Sequence, residues 1–404
     1  MMLNPILDRL SDYPFPRLTR LLAGESPPDG VTPVDLSIGE PRHLVPELLA
    51  RTVAAHAHLW NRYPPVEGTA EFRAAVADWL RRRYGLPERA IDADAQIIPV
   101  AGTKEALFML AAVVADAGRR PRPAVLMPNP FYNVYLGGAL LAGAEPVLLP
   151  VTRATRFLPD LDALPAGLLE RTAALYLCSP ANPQGMAADL DYLRRAVALA
   201  RRHGFLLVLD ECYAELYGDA PPPGGLEAAF ELDGSLDHVV VFHSLSKRSS
   251  AAGLRSGFVA GDRRVIAAFT HLRRYGAAVQ PLPLLAAATA LWRDEEHVVA
   301  NRALYQEKFD LAGRLLGNRY GFYRPDGGFF LWLEVGDGEA AAVRLWREAG
   351  LRVLPGGYIG RPDPASGVNP GDPYVRVALV HDPATTEAAL RRFGAALEPT
   401  LPVA

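Results

Sequence analysis

The chain has 404 residues, half of them hydrophobic, and a formal net charge of −3 at pH 7. One hydrophobic core rarely extends beyond about 250–300 residues, so this length predicts more than one structural unit. The near-neutral charge without a long basic run argues against nucleic-acid binding. The lack of an apolar stretch of about 18 residues or of a signal-peptide pattern predicts a cytoplasmic protein with no membrane span.

Seven short apolar runs follow one another between residues 96 and 261. They are continuously apolar rather than alternating, which is typical of strands buried on both faces of a sheet. The runs are Gln96–Val100, Ala124–Pro128, Glu145–Val151, Ala173–Cys178, Phe205–Asp210, Val239–His243 and Gly257–Gly261.

Helical patterns separate several of these runs. The segment Leu190–His203 carries an apolar stripe and stops before Gly204, a residue that suits a helix end. The segment Glu105–Ala117 is apolar nearly all round, and we expect it to end at Gly118. Strands that alternate with helices predict an α/β fold with a mostly parallel sheet, whose ligands bind beyond the carboxyl ends of the strands.

The pattern changes past about residue 285. The elements predicted there are one long helical stretch from Pro283 to about Arg314, strands at Gly328–Glu334 and Tyr374–Leu379, and a final helix near Ala384–Leu397. They indicate a smaller α+β domain over residues 286–404, after a large domain over residues 45–285. The proline-rich residues 1–44 are predicted to form an N-terminal arm and part of the small domain.

Cysteine and lysine are both scarce. Cys178 and Cys212 are too few for a disulfide framework or a cysteine zinc site, so we expect buried, reduced thiols and no metal. Of 42 basic residues only Lys104, Lys247 and Lys308 are lysine. A guanidinium cannot act as an amine nucleophile, so these three are the candidates for amine chemistry. Lys308 has the surroundings of a plain exposed lysine on a helix.

Polar side chains stand where three predicted strands end. Asp210 ends one strand, Asn182 lies in the turn after another, and Ser244 and Lys247 follow a third. A buried carboxylate is costly unless a partner compensates it, and a cationic ring nitrogen would be such a partner. The three strand ends therefore predict a site. His243 lies beside it in the sequence, and strand alternation favours a structural position for that residue.

The turn Gly102-Thr103-Lys104 joins the first strand to the apolar helix. Backbone N–H groups at a helix start favour an anion, and Arg255 could add a bidentate contact, which predicts a phosphate site. No GxGxxG follows the first strand and the chain has no GxxxxGK[ST], so dinucleotide and nucleoside triphosphate binding are not favoured.

Together these residues resemble the fold-type I pyridoxal-phosphate enzymes, specifically the class I and II aminotransferases. The matches run through nearly the whole chain in the family's order: Gly39-Glu40-Pro41, Tyr63 through Gly68, Gly102-Thr103-Lys104, Asn182-Pro183-x-Gly185, Asp210-x-x-Tyr213, Ser244-x-x-Lys247, Arg255 and Arg376. The resemblance implies a large domain with a mostly parallel seven-stranded sheet, a smaller α+β domain, and a homodimer with shared active sites.

The resemblance also implies a role for each matching residue towards pyridoxal 5′-phosphate. Lys247 would form the Schiff base and then move the proton between substrate and cofactor. Asp210 would keep the ring nitrogen protonated, Asn182 and Tyr213 would bond the ring hydroxyl, and Tyr132 would stack on the ring. The implied phosphate ligands are Gly102, Thr103, Lys104, Ser244, Arg255 and, from a second subunit, Tyr63.

For the substrate, the resemblance implies that Arg376 binds the α-carboxylate, assisted by Asn182 and by the backbone near Gly39. A narrower resemblance, to bacterial succinyldiaminopimelate transaminases, rests on segments such as Asn301-Arg-Ala-Leu-Tyr-x-Glu-Lys-Phe-Asp and Gly327-Gly-Phe-Phe-Leu-Trp-Leu. It implies exchange of an amino group between glutamate and N-succinyl-2-amino-6-oxopimelate. The distal carboxylate would then need a further arginine, and the candidates are Arg17, Arg248, Arg273 and Arg274.

Other readings of the same residues stay open at this point. The chain could be an aminotransferase for other amino acids, or a lyase of the same fold that eliminates a β-substituent. A dimeric regulator that binds the cofactor without turnover is the third alternative, and the intact Lys247, Asp210 and Arg376 argue against it.

Overall fold

The structure, a computed structural model, describes residues 3–10, 13–364 and 366–398. The helices in these ranges are α1 Pro14–Leu21, α2 Glu47–Ala55, α3 Ala70–Tyr84, α4 Thr103–Val114, α5 Asn133–Leu141, α6 Ala166–Leu169, α7 Leu190–His203, α8 Gly225–Asp233, α9 Leu245–Arg248, α10 Arg263–Arg273, α11 Leu282–Arg293, α12 Glu296–Leu316, α13 Gly338–Ala349 and α14 Pro383–Leu397. The strands are β1 Val34–Asp35, β2 Ile97–Val100, β3 Ala124–Asn129, β4 Glu145–Pro150, β5 Thr172–Cys178, β6 Leu206–Asp210, β7 Val239–Ser244, β8 Gly257–Gly261, β9 Phe330–Glu334, β10 Leu351–Arg352, β11 Leu354–Pro355 and β12 Tyr374–Ala378. Among the described residues, none of the helices is both long and apolar enough to cross a membrane.

All seven predicted strands belong to one sheet, in the order β2-β8-β7-β6-β5-β3-β4. The strands from β7 to β4 pair in parallel, whereas β8 runs antiparallel to both of its neighbours. Alternate residues of one strand enter two different cores: Leu207 and Leu209 pack on one face, and Val208 packs on the other. Burial on both faces explains the continuous apolar runs and confirms the predicted α/β fold with a mostly parallel sheet.

A second, antiparallel sheet has the strand order β11-β12-β9, and the short strands β1 and β10 pair separately. Helices α12, α13 and α14 bury Phe309, Leu345 and Leu390 in a core that these strands share. The α+β composition of this part is as predicted. The domain boundaries at residues 44/45 and 285/286 stay predictions.

Two helices end elsewhere than predicted. Helix α4 stops at Val114 and not at Gly118, because Ala115 is extended and the Asp116 carboxylate accepts a hydrogen bond from the Gly118 N–H at 2.8 Å. Such an Asp turn competes with helix continuation. The single helix predicted from Pro283 is two helices, α11 and α12, because Asp294 is extended and its carboxylate bonds to His297 in the next turn. By contrast, α7 ends at Gly204 as predicted, in a left-handed conformation with φ 73°.

Candidate active site

A cavity of about 430 Å³ opens where β5, β6 and β7 end. Strands β5 to β7 are parallel, so their carboxyl ends bring side chains that are distant in sequence to one edge of the sheet. The predicted site residues that line this cavity are Gly39, Thr103, Lys104, Tyr132, Asn182, Asp210, Tyr213, Ser244, Lys247, Arg255 and Arg376.

Lys247 lies in the short helix α9, directly after β7. Its Nζ donates a hydrogen bond of 2.6 Å to the carbonyl oxygen of Gly39 and lies 5.0 Å from the centre of the Phe329 ring. The surrounding protein removes the ammonium from water, which lowers the pKa of Lys247 to about 8. A usable fraction of the amine is therefore neutral near physiological pH, as a nucleophile or base requires.

Asp210 ends β6 and is 5% exposed. Burial raises the pKa of its carboxyl group, while hydrogen bonds from Cys212 and Tyr135 act in the opposite direction. The Tyr135 hydroxyl donates to Asp210 Oδ2 at 2.7 Å, and the Cys212 N–H donates to Oδ1 at 3.3 Å. Among the described residues no cation forms an ion pair with this carboxylate, so a cationic ring nitrogen in the cavity fits it.

The phosphate site predicted at Gly102 also has suitable geometry. Gly102 has φ 85°, and a Cβ built there would lie 2.0 Å from Nη2 of Arg255. Only glycine lets the guanidinium lie against this turn, where the N–H groups at the start of α4 are available to an anion. The Lys104 side chain is exposed and donates to the Tyr13 hydroxyl at 3.3 Å. Backbone N–H groups and a guanidinium together fit the phosphate of the cofactor.

Arg376 lies on β12 and is 5% exposed. Its guanidinium donates to Asn182 Oδ1 at 3.0 Å and to the Ser37 carbonyl oxygen at 2.7 Å, and it lies 4.2 Å from the centre of the Phe330 ring. Burial lowers the pKa of Arg376 to about 10. Its Nε has no hydrogen-bond partner and the group has no carboxylate partner in the described part of the chain, so a substrate carboxylate fits here.

The structure places four other predicted residues as follows. Tyr63 is fully exposed and does not line the cavity of its own chain. His243 points into the core, where its ring lies 4.9 Å from that of Trp79. Cys178 and Cys212 are free thiols that both line the cavity; Cys178 is buried, whereas Cys212 is only half-buried.

The prediction that Lys308 is an exposed lysine was wrong. Its side chain is 0% exposed, and its Nζ bonds to His43 Nε2 at 2.8 Å and to the His381 carbonyl oxygen at 3.0 Å. Burial lowers the pKa of Lys308 to about 7. Both partners come from remote parts of the chain, so the local helical pattern around Lys308 contained no sign of them.

None of the four arginines considered for a distal carboxylate is among the residues that line the cavity. Arg248 is buried and donates to the Leu291 carbonyl oxygen at 2.7 Å, Arg273 is buried, and Arg274 pairs with Glu67. Arg17 lies on α1, the helix that follows the cavity residue Tyr13. Its guanidinium pairs with Glu339 at 2.8 Å and lies 3.8 Å from the centre of the Tyr358 ring.

The sequence reasoning missed several residues of the site. Tyr135 donates a hydrogen bond to Asp210, and its position on α5, three residues after Tyr132, is the signal that places both tyrosines on one face. Tyr13, Phe15, Ile38, Glu40 and Phe330 also line the cavity. These five lie in segments that reach the cavity only through the tertiary fold.

Comparison with known proteins gives one consistent family. Residues 31–393 match the model of the aminotransferase class I and II family. The 4-dedimethylamino-4-oxo-anhydrotetracycline transaminase OxyQ of Streptomyces rimosus is 34% identical over 91% of this chain and 94% of its own. The LL-diaminopimelate aminotransferase of Syntrophobacter fumaroxidans is 32% identical over 96% and 97%. A crystal structure of an aminotransferase from Neisseria meningitidis has 40% identity and a TM-score of 0.92, covering 98% of this chain and all of the other. The chain therefore belongs to the class I and II aminotransferases, enzymes that depend on pyridoxal phosphate.

Proposed function

We propose that Lys247 bonds covalently to the cofactor and moves the substrate proton during amino-group transfer. The bound cofactor supplies an aldehyde for the exchange of the amino group and a ring that withdraws electrons from the reacting carbon. The observation that carries the proposal is the convergence of Lys247, Asp210 and Arg376 on one cavity. The lowered pKa of Lys247 supports its role as the base.

Asp210 would accept the proton of the ring nitrogen in a salt-bridged hydrogen bond, held in place by Tyr135. Asn182 and Tyr213 would donate to the ring hydroxyl, and Tyr132 would cover the face of the ring. Each of these three lines the same cavity as Asp210. In this arrangement the charge of the buried carboxylate is compensated only when the cofactor is present.

The cofactor phosphate would bind at the start of α4, between the backbone of Gly102 and Thr103 and the guanidinium of Arg255. Ser244 would add a hydroxyl and Lys104 a positive charge near the cavity mouth. Tyr63 of a second subunit would complete the site, so the proposal includes a homodimer. Its full exposure supports a contact outside its own chain. A cytoplasmic location belongs to the same proposal.

We propose further that the substrates are glutamate and N-succinyl-2-amino-6-oxopimelate. The α-carboxylate would form a bidentate pair with Arg376, with Gly39 and Asn182 nearby. A relative named for LL-diaminopimelate supports a substrate with this carbon chain. A smaller cavity of about 50 Å³ adjoins Arg376, and its apolar walls at Phe131, Leu354 and Ile359 suit methylene groups.

The distal carboxylate would meet Arg361, a residue that the sequence reasoning did not consider. Arg361 is not among the residues that line either cavity, but its guanidinium lies beside Phe131, which lines the smaller one. Its backbone is fixed by two hydrogen bonds with the Asn129 side chain, at 2.8 and 3.0 Å, and its guanidinium lies 5.8 Å from the centre of the Phe131 ring. Nη2 of Arg361 is buried without a partner, and no carboxylate in the described part of the chain pairs with it. Burial and the nearby charge of Arg17 lower the pKa of Arg361, so an anion would stabilise its charge.

The test is a pair of half-reactions followed by the absorbance of the bound cofactor. Glutamate should convert it to the amino form, and the succinylated oxo-pimelate should restore the original spectrum. If an amino acid with a β-substituent released pyruvate and ammonia when no keto acid had been added as acceptor, the protein would instead be a lyase. A Lys247→Ala variant that completes the half-reaction at the wild-type rate would refute the assigned base.

Replacing Arg361 tests the proposed substrate separately. In Arg361→Leu we expect KM for N-succinyl-2-amino-6-oxopimelate to rise about 10- to 100-fold, the usual effect of losing one charged hydrogen-bonded contact, with KM for alanine unchanged. Arg274→Leu is the matched control, because Arg274 is an exposed arginine that pairs with Glu67 outside the cavity. An equal loss for both substrates would contradict the assignment of Arg361.

A further inference from the structure

A chain of buried polar side chains leads from Lys308 to the helix of Lys247. Lys308 is fully buried, and its ammonium has three N–H donors and no capacity to accept. Two donors point at His43 Nε2 and at the carbonyl oxygen of His381, and the ammonium also lies 4.2 Å from the centre of the Tyr305 ring. In the described part of the chain no carboxylate forms an ion pair with it.

The direction of the bonds in this chain follows from the Asn301 amide. An amide nitrogen can only donate and an amide oxygen can only accept, so the proton of a neutral His43 ring lies on Nδ1 and Nε2 accepts from Lys308. That proton is donated to Asn301 Oδ1 over 2.7 Å. The amide nitrogen of Asn301 then donates to the carbonyl oxygens of Lys247 at 3.1 Å and Arg248 at 3.2 Å. Burial lowers the pKa of His43, which agrees with a neutral ring.

The carbonyls at the end of this chain need such a donor. Helix α9 has only four residues, so its last carbonyl groups have no partner within the helix. Asn301, from α12, donates from its side-chain NH2 group to two of them. The position of the backbone that carries Lys247 therefore depends on the orientation of the Asn301 amide, and that orientation depends on His43.

The same side chains hold the segment that faces the Lys247 amine. His43 ends residues 39–43, whose first carbonyl accepts from Lys247 Nζ, and the His43 carbonyl accepts from Ser250 Oγ at 2.9 Å. The second partner of Lys308, His381, follows β12, the strand of Arg376. Lys308 thus joins the Gly39 segment, the Lys247 helix and the Arg376 strand through one buried ammonium.

We propose that Lys308 is a positioning residue, which acts through His43 and Asn301 to hold Lys247 in register with Gly39 and Arg376. The proposal rests on the roles assigned to Lys247 and Arg376 above. Lys308 does not line the cavity, so it would act without touching substrate or cofactor. Its effect on the reaction is to fix the distance between the reacting amine and the bound carboxylate, where misplacement by about 1 Å can cost about 100-fold in rate.

The test is a double-mutant cycle on the cofactor-loaded enzyme. Lys308→Met removes the donors and keeps the volume, and Asn301→Leu opens the chain at its other end. We expect each to lower kcat about tenfold with a smaller effect on KM, and the double variant to lose about tenfold rather than about 100-fold. The comparison pair is Lys308→Met with Tyr135→Phe, whose residues belong to two separate hydrogen-bond networks. For this double variant the fold-decrease in kcat should equal the product of the two single decreases.

Hydrogen exchange provides a readout that does not depend on turnover. In cofactor-free Lys308→Met and Asn301→Leu, the amides of residues 37–43 should exchange about tenfold faster, with the amides of β5 and β6 unchanged. If Lys308→Met does not fold, the same exchange rates are compared between Asn301→Leu and Tyr135→Phe. The amides of residues 37–43 should then exchange faster in Asn301→Leu only. A lower melting temperature with unchanged kcat, or multiplicative losses in the double variant, would overturn the positioning role. Full activity of Lys247→Ala would instead overturn the proposed function itself.

Discussion

The lysine that makes the site reactive should also destabilise the cofactor-free protein. A fall in the pKa of Lys247 from 10.5 to about 8 corresponds to about 3.5 kcal/mol, at about 1.4 kcal/mol per pKa unit. Between these two values the unfolded chain binds more protons at this residue than the folded chain does. Folding stability therefore increases with pH through this window, and the full penalty applies below pH 8.

Lys247→Met removes this penalty, so we expect the cofactor-free variant to be more stable than the wild type at pH 7. The side chain lines an open cavity and also bonds the Gly39 carbonyl, so we expect a gain of about 1–3 kcal/mol rather than the full value. At pH 9.5, where less of the penalty remains, the gain should be about half as large.

Urea unfolding followed by tryptophan fluorescence measures the difference, since the chain has five tryptophans. Lys104→Met is the control: its side chain is exposed, so the same change should alter stability little at either pH. The reasoning fails if Lys247→Met is no more stable than the wild type at pH 7, or if its advantage is the same at pH 9.5.

Two further substitutions test the cofactor site. Gly102→Ala places a Cβ 2.0 Å from Nη2 of Arg255 at a residue with φ 85°, so affinity for the cofactor, measured by titration of the apoenzyme, should fall at least about tenfold. Gly204→Ala, with φ 73° and nothing within 4 Å of its Cβ, shares the strain without the contact and should bind normally. Tyr135→Phe removes a hydrogen-bond donor that lowers the pKa of Asp210. We therefore expect kcat to fall about tenfold and the acid limb of the pH profile of kcat to move to higher pH. An unchanged acid limb would contradict the role of Tyr135.

The parts of the fold that the sequence predicted are those with local causes. The seven strands were recognisable because burial on both faces makes each run continuously apolar, and α7 ends at a glycine that its last turn requires. The antiparallel direction of β8 was not recognisable, since an apolar run has no direction. The prediction that Lys308 is exposed was wrong for a related reason. Its partner His43 is 265 residues away, and residue type alone does not reveal a buried ammonium.

Gly39 shows why side-chain chemistry alone does not predict part of the site. Its contribution is a carbonyl oxygen, which any residue offers, and its φ lies outside the left-handed region that favours glycine. What requires glycine is space: a Cβ there would lie 2.4 Å from Cζ of Phe330, whose ring packs against the Arg376 guanidinium. Since Lys247 Nζ bonds the Gly39 carbonyl, that close approach sets where the reacting amine lies relative to the proposed carboxylate site. The relation between the two groups is therefore fixed by packing against the backbone of residue 39, and a search for reactive residue types has no means of finding it.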